Sequence, residues 1–164
     1  MMKFGTKSKI AAGVISVAAL VSPFVSGWEG RSLKAYRDIA GIVTICDGDT
    51  NDVRMGQTAT HEECNARLIK QLQIHEKGML KCLSVALPSK TQQAFLSFTY
   101  NVGVGAFCNS KSVAARINAG DVRGACEGLM TWNKARVNGV LREVQGLTNR
   151  RKAERKLCLE GLNG

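Results

Sequence analysis

From Ile10 to Gly27 the chain runs for 18 residues without a charged side chain. A stretch of that length is close to the roughly 17 to 25 residues that cross a bilayer, and it has three possible fates. It is cut away after export, it stays in a membrane, or it first anchors the chain and later leaves the bilayer to join the folded domain, because apolar surface left in water costs free energy in proportion to its area. Lys3, Lys7 and Lys9 stand just before the run, the charge arrangement of an export signal or of an anchor with its N-terminus inside. Ten of the 18 positions are Ala, Gly, Ser or Pro, so bilayer insertion is only weakly favourable. Val25-Ser26-Gly27 is an acceptable small-residue cleavage site.

The 164 residues, 45% of them hydrophobic, suffice for one core and leave little for a second. Only 5% are aromatic, so aliphatic packing and covalent cross-links must carry much of the stability. The six cysteines contain no C-x-x-C pair. Their even number in a chain with an export route points to disulfides rather than metal ligands. His61 and His75 fit no ligand spacing, since His61-Glu62-Glu63-Cys64 lacks the second imidazole one helical turn on. Neither a metal nor a cofactor is expected.

A formal net charge of +10 draws the chain toward anionic polymers and surfaces. Arg150, Arg151, Lys152, Arg155 and Lys156 form the densest basic cluster, although on an amphipathic last helix they need be no more than its wet face. No nucleic-acid reader motif is present, so nucleic acid is not an expected partner. A secreted cationic membrane-active protein is the non-enzymatic alternative.

Local signals give a β-containing segment followed by helices. Asp38-Ile39-Ala40-Gly41 has turn chemistry, and Ile42 to Cys46 is a β-branched run ended by Asp47-Gly48-Asp49, which together predict a hairpin. Thr60-x-x-Glu63 is a capping box opening a helix to about Leu80 that can connect two lobes. Ser89-x-x-Gln92 predicts a second capped helix, with Ala94, Phe95, Phe98 and Val102 buried and Gly103 and Gly105 at its end. Asp121 and Thr148 are expected caps of two further helices, and the residues around Gly139 read as a loop.

Within this frame Glu29, Asp38 and Thr44 supply an acid, a second carboxylate and a hydroxyl, the groups that hydrolysis of a glycosidic bond needs. Taken singly, each has a plainer reading as a helix end, a turn cap and strand filling. Cleavage after Gly27 would leave Glu29 as the second residue of a chain end, where nothing orders it. That favours the reading in which the apolar run first anchors the chain and then leaves the bilayer to join the folded domain.

Trp28-Glu29-Gly30, Leu33 to Asp38, Gly41, Thr44, Tyr100-Asn101-Val102-Gly103, Trp132 and Gly146 to Arg151 together resemble the phage-type lysozymes of glycoside hydrolase family 24. With the weak N-terminal run and the cysteines, the chain is most similar to their signal-anchor-release endolysins. The resemblance covers Trp28 to Leu162. It implies an α+β lysozyme-like fold with a small N-terminal β-hairpin lobe, a larger helical C-terminal lobe and a cleft between them. Residues 1–27 are then the anchor-release segment and 28–164 the catalytic domain.

The resemblance further implies cleavage of the β-1,4 bond between N-acetylmuramic acid and N-acetylglucosamine in peptidoglycan, with inversion. Glu29 is the general acid in that scheme, while Asp38 and Thr44 hold the attacking water. Asn101 and Arg150 are expected at the substrate, with Arg150 near Glu29. The expected protein is a monomer, tethered and inactive in the host inner membrane and later free in the periplasm. A lytic transglycosylase is the enzymatic alternative. Asp47 and Asp49 depart from the family pattern beside Gly48, either adding negative charge near the cleft or standing as solvated loop charge.

Six cysteines alone allow fifteen connectivities. In the family fold Cys126 and Cys158 lie on helices that pack together, and Cys46 and Cys64 on the hairpin and the helix after it. Cys82 and Cys108 then remain as the third pair.

Overall fold

The computed structural model describes residues 15–164. Lys3, Lys7, Lys9 and the start of the apolar run lie outside the described residues. Ser16 opens the first helix, α1 (Val17–Glu29), by accepting a hydrogen bond from the Ala19 amide at 3.1 Å, which satisfies one of the free amides of the first turn. The expected boundary after Gly27 falls inside this continuous helix. Ala18, Val21 and Val25, spaced to lie along one face, are fully buried. That face packs on α2 (His61–Lys81) and α3 (Ser89–Val102). Burying each valine is worth roughly 1.5–3 kcal/mol, so this part of the run behaves as a core helix. Among the described residues no helix is long and apolar enough to cross a membrane.

Gly30, at φ +73°, turns the chain out of α1 into strand β1 (Ser32–Arg37), which pairs antiparallel with β2 (Val43–Cys46). Ile45, Cys46 and Cys64 form the small core of this lobe. α2 starts there, with Thr60 and Glu63 making both bonds of the capping box. Its later residues Leu68, Leu72 and Met79 then enter the large core of the helical lobe. One helix therefore carries side chains in both cores and links the lobes.

The helical lobe continues through α3, α4 (Val104–Cys108), α5 (Ala114–Asn118), α6 (Val122–Gly128), a 3-10 turn at Leu129–Thr131 and the last helix, α7 (Gln145–Leu162). Between the turn and α7 lies a second hairpin, β3 (Lys134–Val137) with β4 (Val140–Glu143). α3 packs along α7, and Phe95, Phe98 and Phe107 meet in the centre with Trp132 at their edge. Disulfides join Cys46 to Cys64, Cys82 to Cys108 and Cys126 to Cys158. These are the pairs that the resemblance and the remainder gave.

Four local expectations need correction. Ser89 is the first residue inside α3 rather than its cap, because Pro88 occupies that position and its fixed backbone suits a helix start. Thr148 lies inside α7, which begins at Gln145, and its hydroxyl accepts from the Asn133 side chain instead. Gly105 lies within α4 rather than ending α3. The segment around Gly139 is a hairpin, with Asn138 and Gly139 both at positive φ, as a two-residue turn between right-twisted strands requires.

Candidate active site

Glu29 is the last residue of α1 and reaches a cleft of about 290 Å3 between the lobes. A helix C-terminus carries partial negative charge, so a carboxylate placed there needs a counter-ion. Arg150 of α7 supplies it, with Nη1 donating to Glu29 Oε1 at 2.6 Å. Arg150 is only 4% exposed, and its other nitrogens donate to Glu154 Oε1 at 3.1 Å and to the Ser97 carbonyl at 3.2 Å. The side chain expected at the substrate is thus spent inside the protein, where it fixes Glu29.

Glu154 is fully buried. It accepts from Ser97 Oγ at 2.8 Å and from Arg150, and stands 3.0 Å from Arg151 Nε without hydrogen-bond geometry. Burial pushes its carboxyl up, and the two arginines and Ser97 pull against that. Burial likewise lowers the ordinary basicity of Arg151, against the opposing charge of Glu154. The Arg151 guanidinium lies 4.8 Å from the Phe98 ring centre and donates to Asn101 Oδ1 at 2.6 Å. Asn101, expected at the substrate, is therefore engaged with Arg151 and does not line the cleft. Arg150 and Arg151 do not belong to a wet basic face; Arg155, which pairs with Glu127 at 2.6 Å, and the exposed Lys152 do.

The floor opposite Glu29 comes from the turn after β2. Asp47 is buried, accepting from Ser26 Oγ at 2.6 Å and from Arg31 Nη2 at 2.8 Å. Asp49 is also buried and accepts from Arg67 at 2.7 Å and from the amide and side chain of Asn51. Burial works against its charge, but the Asn51 and Arg67 bonds outweigh it and hold the carboxyl below its ordinary range. Both carboxylates are neutralised by arginines, so neither is solvated loop charge.

Tyr100 and His75 face each other across the cleft wall, with ring centres 5.0 Å apart. Burial first, then the charges of Glu29, Asp47 and Asp49, raise the Tyr100 phenol well above its usual value, so it remains an O–H donor, directed to the Asp47 carbonyl at 3.3 Å. In the sequence His75 is weighed only as a metal ligand and set aside for want of a ligand spacing, and Tyr100 enters only as part of a motif; neither is assigned to the cleft.

Asp38 and Thr44 sit on the first hairpin. The register sets Thr44 opposite Tyr36, with Asp38 just past the end of β1. Asp38 Oδ1 accepts from the Ala40 and Ile42 amides, each at 2.9 Å, which fixes the turn. Thr44 is buried and donates to the Ile42 carbonyl at 3.0 Å. Neither residue hydrogen-bonds Glu29 or belongs to the cleft lining described above.

Residues 26–154 match the phage lysozyme family. The chain belongs to that family. A SAR-endolysin of Pseudomonas phage phiKMV is 43% identical over 80% of this chain and 81% of its own length. One from Enterobacteria phage PA-2 is 38% identical over 93% and 92%. Among solved structures, an endolysin from Escherichia coli phage FAHEc1 superposes with a TM-score of 0.80 at 32% identity, covering 90% of this chain and 96% of that one. This phage lysozyme is accordingly a glycoside hydrolase of peptidoglycan with an α+β lysozyme-like fold.

Proposed function

We propose that the protein is an endolysin that cleaves the β-1,4 bond between N-acetylmuramic acid and N-acetylglucosamine with inversion. Glu29 protonates the leaving oxygen as general acid. Asp38 is the carboxylate that, with the Thr44 hydroxyl, holds a water on the other face of the sugar. The observation that carries this reading is the Glu29 to Arg150 contact at the cleft, because it orients one Glu29 oxygen and leaves the other for the substrate. Arg150 acts through Glu29 and is a positioning residue. Mass spectrometry of released muropeptides tests the reaction: reducing ends support hydrolysis, and 1,6-anhydro ends replace it with a lytic transglycosylase.

Control rests on α1. While the apolar run lies in the inner membrane, Val21 and Val25 cannot pack on α2 and α3, and Glu29 cannot reach Arg150. The tethered enzyme is then inactive. Release lets α1 fold onto the domain in the periplasm and completes the site, and the small residues of the run make that release cheap. The relatives named SAR-endolysin support this reading, as does the burial of one face of α1. The active form is a monomer.

A further inference from the structure

The β3–β4 hairpin forms a two-stranded sheet of its own, apart from the first hairpin. Val137, Val140 and Leu141 join neither hydrophobic core and are 43%, 50% and 59% exposed. The register sets Val137 opposite Val140 and Arg136 opposite Leu141. Residues directly opposite share a face of the ribbon, and neighbours along a strand alternate between faces. The two valines therefore lie on one face and Leu141 on the other, so apolar side chains surround the outer end of the hairpin instead of coating one side. Cations follow directly behind. Arg136 is level with Leu141, Arg142 is one pair further back, and Lys134 stands at the base opposite Glu143. All three cations are exposed, and among the described residues none forms an ion pair. Arg136 Nη1 donates to the Gly139 carbonyl at 3.2 Å, which satisfies one polar group of the turn.

Clustered apolar side chains left in water mark a surface that something else covers. A folded protein partner presents one surface and would cover one face of the ribbon, leaving Leu141 or the valines wet. A lipid layer surrounds whatever enters it. Its acyl boundary would meet both faces of the hairpin end, and its phosphates would lie at the level of the cations. We infer that this hairpin docks on a bilayer surface rich in anionic phospholipid, with Val137, Val140 and Leu141 at the acyl boundary and Arg136, Arg142 and Lys134 on the phosphates. The contact goes beyond the release of α1, because it gives the freed domain a second, reversible hold on lipid through a different element. No hairpin residue lines the Glu29 cleft, so its replacement leaves the chemistry in place.

The test sediments the full chain, purified with its disulfides formed, with vesicles of phosphatidylglycerol and phosphatidylethanolamine or of phosphatidylcholine alone. The parent should bind the anionic vesicles more tightly, and less so as salt rises. Arg136→Gln with Arg142→Gln should weaken that binding about 25-fold, two cations at about fivefold each. Val140→Ser with Leu141→Ser should weaken it about tenfold, and lysine at both arginine positions should keep most of the parent's affinity. Every variant should clear lipid-free peptidoglycan at the parental rate. Attachment through the N-terminal apolar run alone gives parent and variants equal vesicle binding, and that result overturns the inference. Equal binding of the parent to both kinds of vesicle does the same. Variants that keep vesicle binding but clear lipid-free peptidoglycan poorly also overturn it, and assign the hairpin to the cell-wall polymer. A parent that clears no peptidoglycan sinks the lysozyme reading and leaves the vesicle result standing, since the two are measured separately.

Discussion

Arg150 Nη1 lies 2.6 Å from Glu29 Oε1 although the two residues are 121 positions apart in the chain. The first helix and the last thereby meet at one ion pair. Behind it Glu154 and Arg151 continue the alternation of charge into the interior, ending at Asn101 on the surface.

Glu29→Gln keeps the shape of the side chain and removes the proton it donates. Turbidity clearing of peptidoglycan should fall by about 10²–10⁴-fold, while the circular dichroism spectrum stays that of the parent, because Arg150 retains Glu154 and the Ser97 carbonyl. Clearing at the parental rate by oxidised Glu29→Gln protein removes Glu29 from the mechanism.

Glu154→Leu leaves Arg150 and Arg151 buried without their shared carboxylate. Losing one partner of a buried charge network costs about 3–5 kcal/mol, and urea denaturation should show a loss of that order. A loss below about 1 kcal/mol, the scale of an exposed pair, would place the network outside the forces that hold α7 to α3.

Asp49 ties the β2 turn to α2. Its carboxyl is held below the ordinary value of 3.8, so the folded state binds its proton less readily than the unfolded state. The stabilisation is therefore fully present above that ordinary value and is lost as pH falls through the lowered one. Asp49→Asn should be less stable than the parent at pH ~7, and the gap should narrow in acid, where the parent carboxyl is protonated too. Denaturation midpoints that stay equally far apart from neutral pH to strong acid contradict this.

Cys126 and Cys158 are 32 residues apart and join α6 to α7. Replacing both by serine should cost about 3–4 kcal/mol, through the unfolded-chain entropy that the bridge removes. Denaturant titration of the double variant measures it, and a midpoint equal to the parent's contradicts it.

Pro23 and Gly27 are exposed on α1, and a side chain at Gly27 would meet no neighbour. Replacing both with leucine leaves Ala18, Val21 and Val25 untouched and makes the run more apolar. The variant should be exported yet stay in the membrane fraction and fail to lyse cells. Prompt lysis by it, or mature protein beginning at Trp28, replaces release with simple signal cleavage.

Patterns confined to a few neighbouring residues were legible in the sequence. The Thr60 and Glu63 capping box, the turn at Asp38 and the β-branched run after it act through backbone amides three or four positions away, so the local chain determines them. Asn138-Gly139 belongs with them as the local signal of a hairpin, although polarity around it suggested a loop. The fate of charge was not legible. The resemblance set Arg150 near Glu29, but the residues alone let Arg150 and Arg151 stand as a wet basic face and left Asp47 and Asp49 open between charge near the cleft and solvated loop charge. All four are buried. Their partners are Glu29 and Glu154, Asn101 and Phe98, Arg31, and Arg67. Several come from elements far along the chain, and a charge can leave water only where such partners converge. The apolar run followed the same rule. Its composition allowed a membrane or a core, and only the faces that α2 and α3 present to Ala18, Val21 and Val25 decide for the core in this fold.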